Sequence, residues 1–78
     1  MKVTVVCFGA MREFLPPEAQ DNRAQLEVSG DTVGAVVDAL GAPSSLVFAA
    51  LVDGVRSDLG ARVREGDEVT LMPPFTGG

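Results

Sequence analysis

Alternating apolar and polar residues predict a β-strand near each end of the chain. Residues 2–8 are rich in β-branched side chains, and residues 68–72 repeat the alternation. Successive side chains of a strand point to opposite faces, so each strand offers one apolar face to a core. The opposite face carries Phe8 in the first strand and Met72 in the last. We therefore expect two large apolar side chains on the solvent side of a sheet.

A helical period is clear in the middle of the chain. Apolar residues recur there at i, i+3, i+4 and i+7, namely Val33, Val36, Val37 and Leu40. Asp31 or Thr32 can accept backbone N–H groups as the N-cap, and Gly41 followed by Pro43 ends the helix. Because such an apolar stripe must be buried, the helix is predicted to pack on one face of the sheet.

Shorter segments complete the predicted fold. Further strands are predicted over residues 24–28, 46–52 and 55–56, a short helix over 10–15, and an irregular segment over 59–63 with at most one helical turn. The Asp53-Gly54 pair favours a type I′ turn between the third and fourth strands. One main helix and several strands predict an α+β fold, with a sheet of four to five strands covered on one face.

The last strand runs into Pro73 and Pro74, and the sequence ends at Gly77 and Gly78. Proline cannot donate to a sheet ladder, so we divide the chain into a domain over 1–72 and an extended tail over 73–78. Six extended residues reach roughly 20 Å, and glycine fits channels too narrow for other residues. From this pattern alone, a frayed end is an equal alternative to a tail that presents its carboxylate.

Length and composition narrow the function classes. Seventy-eight residues form one domain, and 46% hydrophobic with 22% charged residues is ordinary for a globular protein. A net charge of −5 with six cations disfavours nucleic acid binding, and it fits either a basic partner or solubility alone. No apolar run is long enough for a membrane span, and no secretory signal is visible, so we expect a cytoplasmic protein.

The chain is poor in catalytic side chains. It has no histidine, and its one cysteine, Cys7, lies in an apolar run where a core thiol is expected. A zinc site is therefore not expected, and no bound cofactor is predicted. Any chemistry at the C-terminus would have to be performed by a partner.

Four segments, in order along the whole chain, resemble one family. Phe8 to Glu13 is similar to a Phe-Ala-x-x-Arg-Glu segment, and Asp31-Thr32-Val33 to a Thr-Val helix start. Residues 65–69 are similar to a Gly-Asp-Glu-Val turn, and residues 73–78 to a Pro-Pro-x-x-Gly-Gly terminus. Together they resemble the MoaD/ThiS sulfur carriers, most of all the small subunit of molybdopterin synthase. That resemblance implies a ubiquitin-like β-grasp fold with a mixed sheet.

The resemblance also implies a mechanism. An adenylating enzyme of the ubiquitin-activating type would use MgATP to activate the Gly78 carboxylate, and a sulfur donor system would convert it to a thiocarboxylate. The carrier would then insert its tail into the large subunit of molybdopterin synthase, in molybdenum cofactor biosynthesis. The chain would be a non-catalytic subunit of a hetero-oligomer, without nucleic acid or membrane partners. Gly77 would allow close approach, and Pro73, Pro74, Phe75 and Thr76 would act as spacer and docking contacts.

A partner surface is expected next to the tail. Phe8 and Met72 should form an apolar patch on the open face, bordered by Val55 or Arg56, and exposed patches of this kind mark interaction sites. Alternatively, the short helix over 10–15 covers Phe8. Arg12 is expected either to form an interfacial salt bridge or to be solvated.

Two features leave the pathway open. Asp53 stands where the family usually has Asn, and residues 42–45 are short for the molybdopterin subunit. Sulfur delivery for thiamine, cysteine or tRNA thiolation is the alternative within the same class. A ubiquitin-like modifier or a binding module is the alternative of another class, although Lys2 is the chain's only lysine and offers few sites for self-conjugation.

Overall fold

The computed structural model describes residues 1–74 of the chain. Within them lie five strands and one α-helix: β1 (Lys2–Cys7), β2 (Arg23–Glu27), α1 (Val33–Leu40), β3 (Ala49–Val52), β4 (Val55–Ser57) and β5 (Glu68–Met72). Two short 3₁₀ helices, Gly9–Phe14 and Ser44–Leu46, fill connections between them. No helix within these residues is long and apolar enough to cross a membrane.

The strands form a mixed sheet in the order β2-β1-β5-β3-β4. The two terminal strands, β1 and β5, are parallel neighbours, whereas the other neighbouring pairs are antiparallel. This arrangement confirms the α+β class and the mixed sheet. It also places the strand that carries the tail in the centre of the sheet.

Helix α1 forms where its sequence pattern predicts it. The Thr32 hydroxyl accepts a hydrogen bond from the Ala35 amide at 3.1 Å, which makes Thr32 the N-cap. Gly41 ends the helix in the left-handed conformation, with φ of 78°. Val33, Val36 and Val37 are fully buried against the sheet. The helix therefore covers one face, and the other face of the sheet stays open.

The core lies between α1 and the covered face of the sheet. Its members on the two central strands are Val3, Val5, Cys7, Val69 and Leu71, each at most 1% exposed. Met11, from the first 3₁₀ helix, is also fully buried in this core. That short helix is therefore anchored to the domain by Met11, and its partly buried Phe14 packs against the same core.

One predicted strand is shorter in the structure. The strand predicted over 46–52 is only Ala49–Val52, because Ser44–Leu46 forms a 3₁₀ helix instead. As a result Phe48 precedes the strand and is 65% exposed, although a buried strand was expected there. Residues 59–63 are irregular, as predicted, and the helical turn considered there does not form. Carbonyls of this segment accept hydrogen bonds from the first amides of α1, Val33 to Ala61 and Gly34 to Leu59.

The predicted type I′ turn is confirmed. Asp53 and Gly54 both have positive φ, 50° and 84°, as this turn requires. Val52 and Val55 are therefore direct partners in the β3–β4 hairpin. The turn lies at the end of the sheet away from Met72, because β3 and β5 are antiparallel.

Candidate functional site

The tail leaves the sheet between its two neighbouring strands. The Phe8 amide donates to the Leu71 carbonyl at 3.1 Å, and the Phe48 amide donates to the Met72 carbonyl at 2.8 Å. These are the last sheet-like bonds of β5, because Pro73 and Pro74 have no amide hydrogen to donate. The strand end is thus held on both sides up to Met72, and the chain leaves the sheet at Pro73.

Three large apolar side chains surround this point, and we call Phe8, Phe48 and Met72 the exit rim. Phe8 is 45% exposed, Phe48 is 65% exposed, and Met72 is partly buried. The first 3₁₀ helix does not cover Phe8, since it turns Met11 into the core instead. Exposed aromatic side chains of this size are typical contact residues of protein interfaces.

The open face of the sheet continues from the exit rim along β1 and β5. Its central positions, Val6 and Thr70, are only 6% and 8% exposed although no helix covers them. Strand register aligns one row across the sheet, in the order Arg23, Val6, Thr70, Leu51 and Arg56. The row therefore has two apolar residues and one threonine in its middle and an arginine at each end.

Arg12 lies beside the exit. Its Nε donates to the Gly9 carbonyl at 3.2 Å, which holds the exposed side chain near the first 3₁₀ turn. The ion pairs within residues 1–74 join Arg23 to Glu68 at 3.1 Å and Arg62 to Asp31 at 2.7 Å, besides one at the N-terminus. Arg12 and Arg56 take part in none of them, so both can pair with carboxylates of a partner.

The structure places Val55 away from this face, contrary to the expectation that it borders the apolar patch. Val55 is the direct partner of Val52, and Val52 packs against the core. Its side chain therefore lies on the helix side of the sheet, at the end remote from the tail. Arg56, the next residue, lies on the open face opposite Leu51. The predicted patch thus keeps Phe8, Met72 and Arg56 and loses Val55.

The described residues form no catalytic cluster. No group of three or more Cys, Asp or Glu side chains within 1–74 could hold a metal ion. The thiol of Cys7 is fully buried, and burial raises its pKa to about 11, so at neutral pH it is a protonated core group. The predicted reactive and docking residues Phe75, Thr76, Gly77 and Gly78 lie outside the described residues.

Sequence reasoning missed two residues at the exit. Phe48 lies inside the strand predicted over 46–52, and Gly9 carries no predicted role. The Leu46-Val47-Phe48 run does not reveal that the strand starts at Ala49. Gly9, however, is a glycine directly after a strand, which can indicate a required positive φ.

A family model described as Mut7-C ubiquitin matches residues 1–77. The chain belongs to the Mut7-C ubiquitin family. A search of curated proteins finds no match.

Solved structures agree with this family. The crystal structure of small archaeal modifier protein 1 from Haloferax volcanii is 30% identical, with 100% of both chains covered and a TM-score of 0.67. The solution structure of the same-named protein from Methanosarcina acetivorans is 22% identical over 99% of this chain and 96% of that one, with a TM-score of 0.68. A molybdopterin-converting factor complex of subunits 1 and 2 from Helicobacter pylori contains a chain that is 21% identical, with full coverage of both and a TM-score of 0.60.

These likenesses confirm the ubiquitin-like β-grasp fold for this Mut7-C ubiquitin family member. They agree with the resemblance to MoaD/ThiS sulfur carriers. The chain has the fold of ubiquitin-like small modifiers and sulfur carriers. The first two likenesses are to modifiers, and the third is to a subunit of a two-protein complex.

Proposed function

We propose that this protein is a sulfur carrier whose Gly78 carboxylate becomes a thiocarboxylate, and that it serves as the small subunit of a molybdopterin synthase. The observation that carries the proposal is the exit of a Gly-Gly tail from the central strand, between Phe8 and Phe48. Because the chain leaves the sheet at a fixed point, the tail could enter a partner's active site. The exposed apolar residues of the exit rim would then bind the partner's surface around the entrance to that site.

The chemistry requires a partner enzyme. A carboxylate is a poor electrophile, so attack on MgATP first forms an acyl-adenylate and releases pyrophosphate. Hydrosulfide supplied by a donor system then attacks the acyl carbon, so that a C–S bond forms as the bond to AMP breaks. Loss of the sulfur-bound proton leaves the thiocarboxylate. The chain has no histidine, and its one thiol is buried and protonated, which supports a role as substrate and sulfur reagent for other enzymes.

Intact mass spectrometry tests this chemistry. The chain is incubated with a cognate adenylating enzyme, MgATP and a sulfur donor, and the mass of one oxygen-to-sulfur replacement is expected at the C-terminus. A chain truncated after Gly77 is the control and should remain unmodified. Absence of the replacement in the full chain, under conditions in which acyl-adenylate forms, would refute the sulfur-carrier proposal.

The exit rim and the open face are the proposed docking surface for the adenylating enzyme and the large synthase subunit. The exposed aromatic residues of the exit rim suit an apolar partner surface, and Arg12 and Arg56 suit carboxylates around it. Phe8→Ala should weaken binding at least tenfold, as expected for an aromatic contact residue. Val55→Ala is the control, because Val55 is also exposed (67% against 45%) but lies on the helix side of the sheet, at the end remote from the tail. Equal affinities of the two variants would contradict this docking surface.

The enzyme that binds the carrier identifies the biosynthetic pathway that receives its sulfur. Co-purification of the native protein should recover a large subunit that converts a cyclic pterin precursor, with transfer of the carrier's sulfur. Recovery of a thiazole-forming enzyme, or of a tRNA-thiolating or cysteine-forming enzyme, would instead assign one of the alternative sulfur-delivery pathways. Either result depends on the same Gly78 chemistry.

A second candidate function is protein modification, in which the tail forms an amide bond with a lysine of a target. It is favoured by the 30% identity, over both full chains, to a structure named as a small archaeal modifier protein. Because Arg64 is the last basic residue, trypsin would leave residues 65–78 attached to the modified lysine. Branched peptides with this 14-residue remnant in native cell extracts would establish conjugation. Their absence, alongside thiocarboxylate formation, would leave the carrier role alone.

A further inference from the structure

One ion pair crosses the open face of the sheet above β1. Nη1 of Arg23 on β2 donates to Oε1 of Glu68 on β5 at 3.1 Å, although β1 lies between these two strands. The strand register sets Arg23 opposite Val6 and Glu68 opposite Thr4. The two charged side chains therefore meet diagonally over β1, between Val6 and Thr4. We call Arg23 together with Glu68 the strap.

The strap accounts for the burial of Val6. This residue is only 6% exposed, although its side chain lies on the face that the helix does not cover. Strands β2 and β5 are two strand spacings apart, about 10 Å, so the ion pair forms only if the Arg23 stem extends across β1 beside Val6. The stem of an arginine can cover apolar surface while its guanidinium group stays in solvent.

The strap is weak enough to open. Each of its two side chains is about half exposed, and an exposed ion pair changes an equilibrium constant by no more than about fivefold. A carboxylate of a bound protein could replace Glu68 at little cost. The new pair would be the stronger one, because an interface excludes water from around it.

We propose that the strap closes the open face in the free protein and is exchanged when the adenylating enzyme docks. Arg23 then leaves Glu68 for a carboxylate of the enzyme, and Val6 is uncovered for apolar contact. The inference rests on the proposed function, in which this face binds that enzyme. It adds a requirement for the enzyme, namely an acidic residue opposite Arg23. In the free protein, the closed strap keeps apolar surface from non-specific association.

The first test measures the exposure of Val6 in the free protein by NMR. Broadening of the Val6 methyl signals by a soluble gadolinium chelate should increase severalfold in Arg23→Ala, because the covering stem is lost. Arg62→Ala is the matched control, since Arg62 also pairs with a carboxylate, that of Asp31 at 2.7 Å, but lies beside the start of α1. The control should keep the native broadening. Native broadening in Arg23→Ala would refute the strap.

The second test measures the affinity of the full chain for the cognate adenylating enzyme by titration calorimetry. Loss of the two halves of the strap should have opposite effects. Glu68→Gln frees Arg23 for the enzyme and should tighten binding about two- to fivefold, which is the contribution of an exposed ion pair. Arg23→Ala removes the group that the enzyme would bind and should weaken binding at least about tenfold. The control variants Asp31→Asn and Arg62→Ala carry the same charge changes and should stay within about twofold of the native affinity.

Each result decides one part of the inference. Native or weaker affinity of Glu68→Gln would overturn the exchange, because the strap would then stay closed in the complex, and native affinity of Arg23→Ala would overturn it too. If the native chain binds the enzyme but is not adenylated, the sulfur-carrier chemistry fails while the affinities still decide the exchange. If it does not bind at all, the docking surface and the exchange both fail, and the broadening of the Val6 signals still decides whether the strap closes the open face.

Discussion

Cys7 provides a sharp prediction, because the proposed role as a sulfur carrier, in a chain with one cysteine, suggests the idea that the thiol holds the sulfur. The structure opposes this idea. Cys7 is fully buried on the core face of β1, directly beside Leu71 of β5. We predict that the native thiol is inert and that Cys7→Val leaves sulfur loading at Gly78 intact.

The magnitude follows from the pKa and from access. Burial raises the pKa of the Cys7 thiol from the ordinary 9.0 to about 11. At pH 8 this lowers the thiolate fraction from about 10% to about 0.1%, roughly 100-fold. Because a reagent must also reach a side chain with no exposed surface, native labelling should be at least 100-fold slower than labelling in urea.

The assay is the rate of reaction with an aromatic disulfide reagent at pH 8, with and without denaturing urea. The same samples are then tested for sulfur loading by intact mass, with Cys7→Val in parallel. Rapid stoichiometric labelling of the folded chain would refute the assignment of Cys7 to the core. Loss of loading in a folded Cys7→Val chain would refute the assignment of the chemistry to Gly78.

The same pKa predicts how stability depends on pH. Between pH 9 and 11 the folded thiol keeps its proton while the unfolded thiol releases it, so unfolding releases a proton. Stability from this group is therefore complete below about pH 9 and falls as the pH rises, by about 2–3 kcal/mol in total. Urea unfolding of the native chain and Cys7→Val across this range isolates the effect. An equal pH dependence in both would contradict it.

Three further substitutions test how the fold is held. Met11→Ala should lower the free energy of unfolding by about 2–5 kcal/mol, because it empties a fully buried position, whereas exposed Glu13→Ala in the same 3₁₀ helix should have little effect. Thr32→Ala should lower the free energy of unfolding by about 1 kcal/mol, because the N-cap hydrogen bond is lost, whereas Thr32→Ser should keep most of that stability. Equal losses in the two variants would exclude the cap as the cause. A double-mutant cycle on Arg23 and Glu68 should give a coupling energy below about 1 kcal/mol, because the two side chains are 52% and 41% exposed. A larger coupling energy would show that the ion pair is better shielded from solvent than its exposure indicates. Urea denaturation measures all three.

Local sequence patterns predict correctly those elements whose conformation depends on residues close together in the chain. The valine stripe, Thr32 and Gly41 define α1 because helix periodicity and capping are local properties. The same holds for the turn at Asp53-Gly54, where positive φ is required at consecutive positions. The alternation in β1 and β5 likewise placed Phe8 and Met72 on the open face.

Exposure at the exit could not be predicted in this way. Phe48 lies in an apolar run that is typical of a buried strand, yet pairing with β5 begins at Ala49 and leaves Phe48 in solvent. Val55 was misplaced for a related reason. Its face depends on the β3–β4 register, which makes Val52 its partner.

The sequence by itself determined the α+β class, the helix with both of its ends, and the Gly-Gly pair on which the proposed carrier role rests. Only the tertiary structure decided what surrounds the start of the tail. The contact between Gly9 and Pro73 joins residues 64 positions apart, and it exists because β1 and β5 are parallel neighbours in the sheet. Strand order and register depend on which distant segments pack together, so they follow from the whole core and cannot be read from any single stretch of chain.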